Sequence, residues 1–261
     1  MMQPNISEFS YGYAITEELI HWHGTTLTAA PVFPSPYQEG QQGGGYDVML
    51  QRPGIPLFLQ FKLSHCMVRS NAQESQSGLF TIPYYRMHIR PARYSDQHEM
   101  LLDLESAGNE VYYSAPAFHE PWELNEAYLN HNVRLRSVWI PPSWIGPLLD
   151  DGDHYVAFQH PGAKHLCSEP RPLEGKADFE DFTETILSEL QRRGKVALQP
   201  QRLFELAEQL TVISQKRRDI PIDVHKATRK EMQDKRPIEQ IAFYSHMFFD
   251  TQLFIVHQRG E

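Results

Sequence analysis

Residues 55–64, IPLFLQFKLS, constrain the fold more than any other stretch of this 261-residue chain. Side chains alternate across a β-strand. Here apolar residues occupy both parities, Ile55, Leu57, Leu59, Phe61 and Leu63 on one and Pro56 and Phe58 on the other. Such a run needs cover on both sheet faces, which points to a central strand in a sheet flanked by helices, an α/β fold. Two polar residues interrupt it: Gln60 and Lys62 share one strand face. A lysine inside an apolar strand is costly to bury unless it has a partner or a task. Residues 46–51 (YDVMLQ) alternate like a preceding strand, and Arg52-Pro53-Gly54 turns the chain, so the two segments are expected to form a β-hairpin. Gly43-Gly44-Gly45 just ahead of Asp47 lets the backbone enter tightly and leaves space beside the carboxylate.

The chain carries a formal charge of −9, all of it in the first two thirds: residues 1–175 hold 10 Lys/Arg against 19 Asp/Glu, and residues 176–261 hold 14 of each. A protein wrapping nucleic acid alone is usually basic. A polyanion would therefore meet a local patch or rely on a partner subunit or a homo-oligomer. Two patches exist. The stretch between Glu74 and Asp96 has no acid but has Arg86, Arg90 and Arg93, and residues 216–236 hold eight basic residues against four acidic. No apolar run reaches the roughly 20 residues of a membrane span. The N-terminus lacks the basic start and apolar core of a signal peptide, and two cysteines, Cys66 and Cys167, are too few for a disulfide framework. The expectation is a cytoplasmic protein without membrane contact.

Residues 7–24 read as a helix, with Gly24 as terminator, followed by a Pro/Gly-rich loop. Residues 97–107 form a helix behind Ser95 as N-cap, 111–115 a strand and 122–130 a short helix; 137–140 and 154–159 are further strands. Residues 176–193, 201–218 and 237–257 read as helices. The expected organisation is an α/β domain over 1–173 and a helical C-terminal region over 174–261 that packs on the core or meets a partner.

Asp47, Gln60 and Lys62 suit metal-assisted phosphodiester hydrolysis. A carboxylate holds a hard cation such as Mg²⁺ through oxygen, and the cation polarises a phosphoryl oxygen and acidifies a bound water. The Gln60 amide oxygen and the Phe61 carbonyl would complete the metal shell, and Lys62 would position water and offset charge on the phosphorane. Glycine-rich strand entry, Asp47 and the Gln60-Phe61-Lys62 triplet, with a helix before and a helix and strand after, resemble the PD-(D/E)XK nuclease superfamily in its Q-x-K, Mrr-like variant. The resemblance covers residues 15–116 and implies a mixed-sheet core and a Mg²⁺-dependent endonuclease, with Mn²⁺ as substitute. It implies DNA in preference to RNA as substrate, in a bacterial defence or DNA-processing setting. It also implies a helix carboxylate, for which Glu17 and Glu18 are both candidates. Arg86 and Arg90, alternating with His88 in YYRMHIR, would contact phosphates, as would Gln97 and His98 at a helix start.

Other chemistries lack their motifs. None of the thirteen histidines shows zinc-site spacing, and G-x-S-x-G, a P-loop and a strand-linked G-x-G-x-x-G are all missing. The competing expectation is a catalytically inactive, nuclease-like scaffold that binds nucleic acid or protein. Gln60, where the superfamily often has an acid, and the negative net charge favour it.

Overall fold

Backbone placement in the computed structural model covers residues 1–22, 25–34, 52–148, 150–167 and 171–259. Asp47, the glycines before it and the expected strand 46–51 lie outside the described residues. In chain order the elements are α1 (Glu8–His21), β1 (Leu27–Val32), β2 (Gly54–Phe61), β3 (Ser64–Met67), α2 (Gln73–Gln76), β4 (Tyr84–Ile89), α3 (Gln97–Ser106), β5 (Glu110–Pro116) and α4 (Pro121–Leu129). There follow β6 (Ser137–Ile140), α5 (Pro142–Ile145), β7 (His154–Phe158), β8 (Lys164–Leu166), β9 (Arg171–Pro172), α6 (Phe179–Arg193), α7 (Pro200–Ser214), α8 (Ile222–Met232), α9 (Pro237–Met247) and β10 (Gln252–Gln258). The fold is α/β, with helices beside antiparallel strand ladders. No helix among the described residues is long and apolar enough to cross a membrane.

Two compact units interleave along the chain. The first comprises Met1–Leu19, Phe61–Tyr94 and Tyr112–Glu184; the second comprises Ile20–Gln60, Ser95–Val111 and Thr185–Glu261. Neither is contiguous in sequence.

In the first unit, five strands run β3-β4-β7-β8-β9, all antiparallel. Ser64 pairs with Met87 and Met67 with Tyr84, while His88 pairs with Tyr155 on the other side. Strands β5 and β6 form a further antiparallel pair. Helix α1 starts where Ser7 Oγ accepts the Ser10 N–H at 2.9 Å, a side-chain cap. Tyr11, Ala14, Ile15, Glu18 and Leu19 form its buried face at three- and four-residue spacing. The Tyr11 hydroxyl lies 2.8 Å from Ser114 Oγ and donates to Ser137 Oγ at 2.9 Å, tying α1 to β5 and β6. Gly12 allows close packing: a Cβ there would stand 2.8 Å from the Phe61 ring. Behind β6, Trp139 stacks on Phe182 with centroids 4.4 Å apart.

In the second unit, β10 lies between β1 and β2 and pairs antiparallel with both. The helix expected over 237–257 is therefore corrected. Helix α9 ends at Met247, Asp250 takes a left-handed φ of 51°, and the Thr251 N–H donates to Ser245 O at 2.9 Å before the chain leaves as a strand. A short apolar run buried on both sides carries no periodicity that separates helix from strand. Helix α8 was not expected either; among its residues only Met232 is buried. Residues 55–64 are also corrected. They split into β2, ending at Phe61, and β3, starting at Ser64, with Lys62 at the break.

Candidate functional site

Strand β2 is buried from Gly54 to Gln60. Gln60 is 2% exposed, and its Oε1 is buried with no hydrogen-bond partner among the described residues. Leaving such an acceptor unsatisfied costs about 1–3 kcal/mol, and apolar β2 has no packing need for a carboxamide. Phe61 is half-buried against α1, edge-on to Tyr11 at 5.9 Å. Lys62 is half-buried where the strand ends, and its backbone N–H donates to Ser114 O at 2.9 Å.

The two helix carboxylates have different surroundings. Glu18 is fully buried: Oε1 accepts the Val133 N–H at 2.8 Å, and Oε2 accepts the Arg134 N–H at 3.0 Å and Arg134 Nη1 at 2.9 Å. Those donors engage both carboxylate oxygens and hold the turn at 133–134. Glu17, one residue earlier, is half-buried.

Several expected phosphate ligands prove to be occupied. Arg86 Nη2 meets Glu74 Oε2 at 2.5 Å, and its guanidinium lies 4.4 Å from the centre of the Tyr155 ring. Burial pushes the Glu74 carboxyl up, but hydrogen bonds from its own backbone, Tyr155 and Arg86 outweigh that and hold it below its usual range. Gln97 Nε2 donates to Phe249 O and Asp250 Oδ2, both at 3.2 Å, so Gln97 braces the turn into β10. His98 is buried at 5% exposure, away from a solvated phosphate. The basic run at 216–218 is also engaged. Lys216 pairs with Glu99 and Asp103, Arg217 with Asp219, and Arg218 with Asp96 at 2.7 Å. Arg90 alone of the expected phosphate ligands is exposed.

The first unit also holds His65 and Tyr94, which the sequence does not single out. His65 and His88 meet with ring centroids 4.7 Å apart. Burial lowers the pKa of both, reinforced by the Arg86 charge and, for His88, by His65. Both cysteines are free, and burial pushes Cys66 up to about 11 and Cys167 to about 12, so neither is a reactive thiolate at neutral pH. Tyr94 is 70% exposed, with the Arg93 guanidinium 4.6 Å from its ring centre. Its sequence signal was an aromatic beside arginines in the acid-free stretch. Among the described residues no group of three or more His, Cys, Asp and Glu side chains is placed to hold a metal ion. The chain matches no family model, and no curated protein and no solved structure shows significant similarity to it.

Proposed function

We propose that this chain is a metal-dependent nuclease that hydrolyses nucleic-acid phosphodiester bonds, DNA in preference to RNA. The observation that carries the reading is Gln60: a buried amide oxygen without a hydrogen-bond partner among the described residues, one residue before the Phe61 carbonyl and two before Lys62. Neutral and carboxylate oxygens are the donors that Mg²⁺ and Mn²⁺ take, so this donor set fits such an ion. Asp47, the Gln60 amide and the Phe61 carbonyl would hold it. When bound, the cation supplies Lewis acidity and a water of lowered pKa. Lys62 would orient that water and offset charge as the phosphorane forms, and Glu17 would be the helix carboxylate. We further propose that it works in the cytoplasm, in bacterial defence and with a protein partner or as a homo-oligomer. The net charge of −9 leaves it little general affinity for a polyanion.

A second reading, a scaffold that binds nucleic acid or protein without cutting, draws on the same residue, because Gln60 brings one negative charge fewer than an acid. Thermal melting with and without Mn²⁺ tests the site. A ligand at 100 times its Kd stabilises the fold by about 2.7 kcal/mol. A rise in Tm for the wild type that is lost in Asp47→Ala and Gln60→Leu is expected. No rise in the wild type contradicts the metal site, and a rise without any cleavage supports the scaffold.

A further inference from the structure

We propose that the turn at residues 90–94 is a stacking platform for an unpaired nucleotide, and that the substrate of this chain is single-stranded nucleic acid. The observations belong to the first unit. Tyr94 keeps 70% of its surface exposed, and the Arg93 guanidinium lies over the ring, 4.6 Å from its centre. The backbone of the turn is tied down, because the Tyr94 N–H donates to Pro91 O at 2.9 Å and Pro91 is itself buried. An aromatic ring left in water forgoes the stabilisation of burial. An exposed ring beside an arginine is the kind of surface on which an unstacked base stacks. Arg90 and Arg93 are both exposed, and no acid occurs between Glu74 and Asp96, so phosphates on either side of that base meet positive charge alone in this stretch.

The platform lies at the same end of a strand ladder as Lys62. Pairing of β3 with β4 begins at Ser64↔Met87, two residues after Lys62 and three before Arg90. Extended chain and one inter-strand step put Lys62 and Arg90 within about 20 Å, the reach of a few nucleotides. A strand whose phosphate is at Lys62 would carry a nearby base to Tyr94. The proposal rests on the nuclease reading for this direction. Duplex DNA is disfavoured because its bases are stacked on each other, and two exposed arginines on an acidic protein offer few backbone contacts.

Fluorescence anisotropy in EDTA, where no cleavage occurs, separates this claim from catalysis. Labelled oligo-dT, oligo-U and a duplex of equal length serve as probes for wild type, Tyr94→Ala, Tyr94→Phe and Arg93→Ala. The single strands should bind more tightly than the duplex, and the two oligomers show whether DNA or RNA is preferred. Tyr94→Ala should weaken single-strand binding at least about fivefold, the lower end of the loss of one stacked base, while Tyr94→Phe retains it. The salt dependence should be shallow, with a slope near −1.4 for about two phosphates. Tyr94 is exposed, so an unchanged Tm will show that the variants fold. Duplex binding as tight as single-strand binding, no binding at all, or a Tyr94→Ala variant that binds like wild type would each overturn the proposal. Cleavage lost in Lys62→Ala would still stand in that case, so the two readings fail separately.

Discussion

Glu17 and Glu18 are chemically identical neighbours, and only tertiary structure tells them apart. Helical spacing puts residue 18 on the face with Tyr11, Ile15 and Leu19, which is legible from the sequence. Its partner Arg134 lies 116 residues away and is not. Removing one member of a buried ion pair leaves the other charge uncompensated. Glu18→Ala should therefore cost about 3–5 kcal/mol in chemical denaturation, whereas Glu17→Ala should stay within about 1 kcal/mol and reduce cleavage. Gln60 works in the opposite direction. Gln60→Leu removes an unsatisfied buried acceptor and should leave the metal-free fold as stable as wild type or more so, while erasing the response to Mn²⁺. A large loss of stability in that variant would mean that the amide serves the fold instead. The histidine pair adds a pH dependence. Folded His65 and His88 bind protons more weakly than at the ordinary value of 6.5. The unfolded chain therefore holds more protons below that value, and stability falls as pH drops from about 6.5 toward the folded-state values. Urea unfolding at pH 7.5 and 5.0 should show a smaller drop in a His65→Asn/His88→Asn variant than in wild type.

At the scale of elements, what the sequence shows depends on whether neighbours are local. The N-cap of α1 and the stop of α3 are local: Ser7 caps α1, and Gly108, at φ 89°, follows α3 as expected. Asp96 and not the expected Ser95 stands at the N-cap of α3, and Gly24 lies outside the described residues. Strands β5, β6 and β7 are legible in the sequence, and the alternation in YYRMHIR is that of β4. Strand β10 was not, because its pairing with β1 and β2 joins segments some 200 residues apart. Its place inside a ladder has a measurable consequence. Amides of Leu253 to Val256 should be among the slowest in hydrogen exchange, opening only with global unfolding. An early-exchanging C-terminal segment would contradict that position. Gly12 makes a second test. Alanine is the better helix former by about 1 kcal/mol, yet its Cβ would press on the Phe61 ring at 2.8 Å. Gly12→Ala should therefore lower Tm, and the displaced Phe61 should weaken the adjoining Lys62 function. An unchanged Tm would show that the ring turns aside freely.

For the whole molecule, charge is the quantity that the sequence states most plainly and explains least. The basic stretch at 216–236 reads as a polyanion patch, but Lys216 and Arg218 are spent on Glu99, Asp103 and Asp96 within the second unit. Exposed pairs of this kind contribute about 0–1 kcal/mol each, so Arg218→Ala should shift Tm slightly and leave nucleic-acid affinity unchanged. What the sequence offers is a candidate triplet, Gln60, Phe61 and Lys62, which stands at the end of strand β2. What it could not read is which arginines stay exposed, since that depends on which acids the fold brings near. The most direct test of the nuclease reading is a cleavage assay on plasmid, single-stranded DNA and RNA with Mg²⁺, Mn²⁺ or EDTA, with wild type beside Lys62→Ala. Metal-dependent cutting by wild type, abolished by EDTA and lost in Lys62→Ala, is the predicted result; cutting that persists in Lys62→Ala, or no cutting of any substrate with either metal, would contradict it.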